Sequence, residues 1–128
     1  MPGMTPAIVF FALDPAVTRQ FYETLGLSFV EEKHGDGPVH HACDLQGMVL
    51  EIYPLRGGVS IKPCDVVGAA FPVAEFDKTL AALLAMDLKP GKVVVYHEER
   101  RLRAVSVRDP DGRLIRLLEC GEDPPTVH

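Results

Sequence analysis

The sequence predicts an α+β fold made of two βαβββ modules, and three observations carry that reading. First, the order of patterns in the first half recurs in the second: an extended apolar run, a helical pattern, then three more extended runs. Second, apolar residues take up helical spacing at matching places, as Val17, Phe21 and Leu25 in one half and Phe76, Leu80 and Leu83/Leu84 in the other. Third, a turn signal directly precedes the last run of each half, Gln46-Gly47 in one and Asp109-Pro110-Asp111-Gly112 in the other.

The first run, Ala7-Ile8-Val9-Phe10-Phe11-Ala12, is apolar on both faces, which predicts a strand covered on both sides. Asp14 then reads as a helix N-cap and Pro15 as the first helical residue, with Gly26 as the C′ glycine. Strands are predicted over 28–33, 39–45 and 48–53, the last two joined by a tight hairpin. The second half predicts a strand over 66–73, a helix over 75–86, and strands over 93–96, 102–107 and 113–119. The chain therefore reads as a single domain, 1–128, with module one at about 5–55, a Gly-rich linker at 56–64, module two at 65–119 and a loosely held tail at 120–128.

Composition narrows the function classes. A chain of 128 residues with formal charge −5 lacks the clustered positive charge that a nucleic-acid partner requires, and its one basic cluster, Arg100-Arg101-Leu102-Arg103, follows Glu98-Glu99. No apolar run approaches the roughly 20 residues that span a bilayer, and no signal peptide is visible, so a cytoplasmic protein without a membrane partner is expected. Cys43, Cys64 and Cys120 form neither an even framework nor a Cys-x-x-Cys pair and read as free thiols.

Phe21-Tyr22 with Leu25-Gly26-Leu27 in one half, and Asp109-Pro110-Asp111-Gly112 with Ile115 and Leu117 in the other, give the chain a specific likeness. It resembles the vicinal-oxygen-chelate superfamily of glyoxalases, bleomycin-resistance proteins and extradiol dioxygenases. The resemblance implies two half-barrels enclosing a cavity. In metal-dependent members it also implies inward His or Glu side chains on the first and last strand of each module. Those four positions fall here at Ala7, Glu51, Gly68 and Arg116, so one ligand of four survives and the last is a permanent cation. No metal and no cofactor are expected.

Strand alternation then fixes the cavity wall. If Ala7 and Glu51 face inward, so do Val9, Phe11 and Tyr53, and the Gln46-Gly47 turn sets Glu51 across from Ala42 and Tyr53 across from His40. His41 then faces the helix, and His34 and His97 read as surface residues. A four-residue loop at 109–112 would set Arg116 opposite Val105, with Arg103 on the same inward face and Leu118 beside it. The expected ligand-binding set is Val9, Phe11, His40, Glu51, Tyr53, Arg103, Arg116 and Leu118, with an ion pair between Glu51 and Arg116 at its centre.

These residues point to a metal-independent protein that binds a small, partly apolar molecule carrying an anionic group, which the guanidinium forks suit. The rival reading is a lyase or isomerase acting on a small oxygenated substrate. Its catalytic candidates are His40 or Glu51 as general base and Arg116 as the clamp on a developing oxyanion. An open apolar face in each module makes a homodimer the expected working unit.

Overall fold

A computed structural model describes residues 5–57, 62 and 64–121, with the side chains of 64–67 outside that description. Part of the linker, the Cys64 side chain and the tail from 122 onward lie outside the described residues. Contacts divide the chain into two compact units, the first running to Pro63 and taking in Pro110–Gly112, the second comprising Cys64–Asp109 and the chain from Arg113.

In the first unit β1 (Ala7–Ala12) leads into α1 (Pro15–Thr24), followed by β2 (Val30–Glu32), β3 (His40–Asp44) and β4 (Val49–Pro54). The second unit repeats the order with β5 (Cys64–Val73), α2 (Phe76–Ala85), β6 (Val94–His97), β7 (Leu102–Arg108) and β8 (Arg113–Glu119). Both sheets have the same strand order, β1-β4-β3-β2 and β5-β8-β7-β6. The first and last strand of each unit pair in parallel and the other pairs are antiparallel. Two βαβββ modules are thus present, as the sequence predicts. No helix is long and apolar enough to cross a membrane among the described residues.

Local chemistry explains the helix bounds. Asp14 is extended and its carboxylate accepts from the Ala16 and Val17 N–H groups, while Pro15 sacrifices no hydrogen bond at the first helical position. Gly26 takes φ +101° just past the end of α1, a conformation that a Cβ disfavours. The buried stripe of α1 is Thr18, Phe21, Tyr22 and Leu25, not the predicted Val17, Phe21 and Leu25, and Val17 is exposed. Apolar spacing does not pick out Thr18 because its hydroxyl partner lies far along the chain: Thr18 Oγ1 donates to Asp111 Oδ2 at 2.6 Å. Asp111 Oδ1 also accepts from the Leu13 N–H at 3.1 Å. In α2 the buried residues are Phe76, Thr79 and Leu83, while Leu84 is exposed.

Gln46 and Gly47 take φ +57° and +106°, as a two-residue hairpin with two left-handed positions requires. The strand predicted to be covered on both sides is an edge strand instead: Phe11 is 48% exposed, and Ile8 and Val9 are exposed too. Its helix-facing end is covered, with Ala12 fully buried. Cys43 is a buried free thiol and Cys120 an exposed one.

Replacing Thr18 by Val keeps the volume of a fully buried side chain but takes a donor from the Asp111 carboxylate. Urea unfolding is expected to show a loss of about 1–3 kcal/mol with an unchanged m-value. A midpoint equal to wild type would show that this hydrogen bond contributes nothing.

Candidate functional site

The face of the first sheet opposite α1 is built by alternation. In the parallel pair, Val9 sits beside Glu51 and Phe11 beside Tyr53, and in the antiparallel pair Ala42 sits beside Glu51. Tyr53 lies across from His40 as expected, and their rings stack, with centroids 4.1 Å apart and planes 8° from parallel. Glu32 lies beside His40 through the β2–β3 register.

His40 is the centre of this face and is only 1% exposed. Its Nδ1 lies 3.2 Å from the Pro38 carbonyl oxygen. Its Nε2 is approached at 3.4 Å by Glu32 Oε1, by Glu51 Oε2 and by the Tyr53 hydroxyl. Burial, then the Glu51 and Glu32 charges, raises the Tyr53 pKa, so its hydroxyl keeps its proton and can donate. His34, predicted as a surface residue, is indeed exposed but reaches Glu32 Oε1 at 3.7 Å and lies 5.1 Å from His40 ring to ring. Sequence reasoning missed Glu32 and His34. The signal was available, because a register that places residue 32 beside residue 40 puts 34 just past the strand end on the same turn.

His41 faces the other way, as expected. Its Nδ1 lies 3.1 Å from Arg19 Nη1, and burial followed by the Arg19 charge lowers its pKa.

Two hollows flank the cluster. One of about 500 Å³ is apolar and lined by Val9, Phe11, Pro38, Tyr53, Pro54, Leu55 and Arg56. The other, of about 470 Å³, includes Ala7, Val30, Ala42, Glu32 and Glu51 in its wall. Glu51 has an imidazole partner within its own unit, whereas the expected pair with Arg116 would join residues of different units.

In the second unit the register departs from expectation. Asp109 N–H donates to Arg113 O at 2.9 Å, and the Asp109 carboxylate accepts back from Arg113 N–H at 3.0 Å. This closes a three-residue loop, with Gly112 at φ +90°, instead of the predicted four-residue one. Arg116 therefore sits beside Ser106, and Val105 beside Leu117. One residue of slip moves Arg103 to the opposite face. There its guanidinium lies 4.7 Å over the Phe76 ring and makes paired bonds to Asp77 at 3.0 Å and to Glu119 at 2.8 and 3.1 Å. The Arg103 bonds hold the Glu119 and Asp77 carboxyls below the usual range and raise the Arg103 pKa further. Arg103 is thus a clamp between α2 and the sheet, not part of the open face. Arg116 is exposed and lines a hollow of about 270 Å³ with Gly68, Ala69, Ala70, Ser106 and Leu114. Leu118, beside Ala104, shares its face.

The four positions at which the sequence resemblance places ligands hold Ala7, Glu51, Gly68 and Arg116, a donor set that does not fit a metal. The first unit offers only the Glu51 carboxylate there, and the second offers none. At Gly68 a Cβ would already meet the Leu114 carbonyl oxygen at 3.1 Å, so a larger ligating residue needs the backbone to move.

No family profile matches the chain, and no curated protein matches it in sequence. Solved structures do resemble it in fold. The oxidase ChaP-H2 is 21% identical with a TM-score of 0.66, the match covering 94% of this chain and 96% of that one. A glyoxalase family protein from Enterococcus faecalis is 21% identical with a TM-score of 0.62, covering 92% and 98%. A fosfomycin resistance protein, FosX, from Listeria monocytogenes, in complex with Mn(II) and a dihydroxypropylphosphonic acid, is 16% identical with a TM-score of 0.65, covering 92% and 90%. The chain therefore shares its fold with these proteins.

The Arg103 clamp has a pH signature. The folded-state pKa values of Glu119 and Asp77 are lowered, so the clamp's contribution is present above the ordinary carboxylate pKa of about 4 and is lost as pH falls through the lower folded values. Denaturant unfolding between neutral pH and pH of about 3 is expected to show a shallower acid loss in Arg103→Met than in wild type. Parallel curves would show that the clamp carries no linked protons.

Proposed function

We propose that this chain is a metal-independent small-molecule-binding protein with the vicinal-oxygen-chelate fold, taking a partly apolar ligand that carries an anionic group. One observation carries the reading. A hollow of about 500 Å³ on the first unit's open face has an apolar wall of Val9, Phe11 and Tyr53 and takes in Arg56 as well. Burying a ligand's apolar surface there supplies affinity, at roughly 25 cal/mol per Å², and a guanidinium at the edge orients a carboxylate or similar group. Arg116 beside the small side chains of Gly68 and Ala70 repeats the arrangement in the second unit. A solved neighbour of the same fold, FosX, in complex with Mn(II) and a dihydroxypropylphosphonic acid, supports the small-molecule part of the reading at the level of fold.

The second reading, a lyase or isomerase on a small oxygenated substrate, is favoured by the convergence of Glu51 and Tyr53 on buried His40. An imidazole with a carboxylate 3.4 Å away can hold and move a proton, with His40 or Glu51 as general base. The working unit in this proposal is a homodimer, which would cover the exposed Ile8, Val9 and Phe11. Its compartment is the reducing cytoplasm, where Cys43 and Cys120 stay thiols.

A thermal-shift panel of small aromatic and aliphatic carboxylic acids tests the binding reading. A binder at 100 times its Kd adds about 2.7 kcal/mol of stability. Phe11→Asp is expected to abolish the shift, and Arg56→Gln to weaken acids more than their amide analogues. Shifts that survive Phe11→Asp, or no shift with any acid, would reject this pocket. Light scattering is expected to give twice the 14.0 kDa chain mass, and the single-chain mass would reject the dimer.

A further inference from the structure

We propose that the β2–β3 turn carries a divalent-metal site formed by Glu32, His34 and His40, separate from the four positions at which the superfamily resemblance places ligands. Among the described residues, these three form the one group of His, Cys, Asp or Glu whose ligand atoms all lie within 4.8 Å of one another. The proposal does not rest on the small-molecule reading, and it restricts the expected absence of metal to the four superfamily positions.

Geometry argues for it first. A tetrahedral metal with ligands at about 2.0–2.1 Å holds those ligand atoms about 3.3 Å apart. His40 Nε2 and Glu32 Oε1 are already 3.4 Å apart, and His34 Nε2 and Glu32 Oε1 are 3.7 Å apart. The remaining closure falls to His34, whose side chain is 72% exposed and can swing without repacking the core. His40 cannot swing, being buried and stacked on Tyr53, so it supplies the fixed ligand.

The donor chemistry argues second. Metal-bound histidines commonly donate their other ring N–H to a backbone carbonyl, which aims the remaining lone pair at the ion. His40 Nδ1 lies 3.2 Å from Pro38 O and its Nε2 points at the cluster. Glu32 and Glu51 both bring a carboxylate oxygen to 3.4 Å from that nitrogen. A single N–H on Nε2 can point well at one of these oxygens, not both. A cation held by Glu32, His34 and His40 gives both imidazoles and the Glu32 carboxylate a common partner. Two imidazoles and a carboxylate suit a borderline ion such as Zn²⁺ or Co²⁺ better than Mg²⁺ or Ca²⁺. Three protein ligands leave a fourth position for water.

The test uses the full chain, stripped with chelator and dialysed. Calorimetric titration with Zn²⁺ is expected to give one equivalent, and Co²⁺ to give the visible absorption of a tetrahedral site. His34→Ala alters an exposed side chain and should fold normally by circular dichroism, yet weaken Zn²⁺ at least tenfold. Glu32→Gln should do the same. His97→Ala, which removes an imidazole from the second unit, should bind like wild type. Absence of binding in the wild type would overturn the proposal. Binding that is unchanged in His34→Ala, or lost in His97→Ala, would overturn it equally, as adventitious metal elsewhere.

Discussion

β1 runs parallel to β4, and β5 to β8, and nearly everything else follows from that pairing. Two parallel strands cannot be joined by a hairpin, so the chain between them has to leave and return. Each module uses the excursion to lay down a helix and two more strands. The pairing also makes the first strand an edge. It brings the side chains of Val9 and Glu51, or Ala70 and Arg116, next to each other on the face away from the helix. That face is where the first module gathers Glu32, His40 and Glu51.

The two modules use the inheritance differently. In the first, a carboxylate from β2 and another from β4 meet a buried imidazole on β3, and the apolar Tyr53 ring seals one side of it. Burying His40 is tolerable because both ring nitrogens have polar neighbours. In the second module the strongest polar interaction lies behind the sheet. There Arg103 binds Asp77 and Glu119 and covers the Phe76 ring, tying the first turn of α2 to β7 and β8. The first module thus gathers a buried histidine and two carboxylates on its open face, and the second uses an arginine and two carboxylates to hold its helix. Ala7, Gly68 and Arg116 fit this division, since none of them can supply a metal ligand.

Much of the fold was legible because it is written in short-range chemistry. Asp14-Pro15 and Gly26 mark the ends of α1 through groups within a few residues of each other. Gln46-Gly47 fixes a hairpin by its own backbone preferences, and that hairpin alone sets Tyr53 against His40 and Glu51 against Ala42. The site was legible only so far as such turns could be counted. At 109–112 the same counting failed by one residue, because Asp109 spends its backbone and carboxylate on Arg113 and shortens the loop. Period-two alternation turned that single residue into the wrong face for Arg103.

The sequence by itself determined the order of elements, the repeat, the placing of Val9, Phe11, His40, Glu51 and Tyr53 on one face of the first module and the lack of ligands at positions 7, 68 and 116. Tertiary structure alone decided which partners those side chains meet. Thr18 is buried because of Asp111, 93 residues away, and Arg103 is committed because Asp77 and Glu119 flank it in space. Glu32 and His34 join His40 because a strand register brings them together across an irregular turn. Local propensities act over a few residues, and a one-dimensional pattern carries them. Register and burial depend on contacts between distant segments, and those form only when the chain has folded.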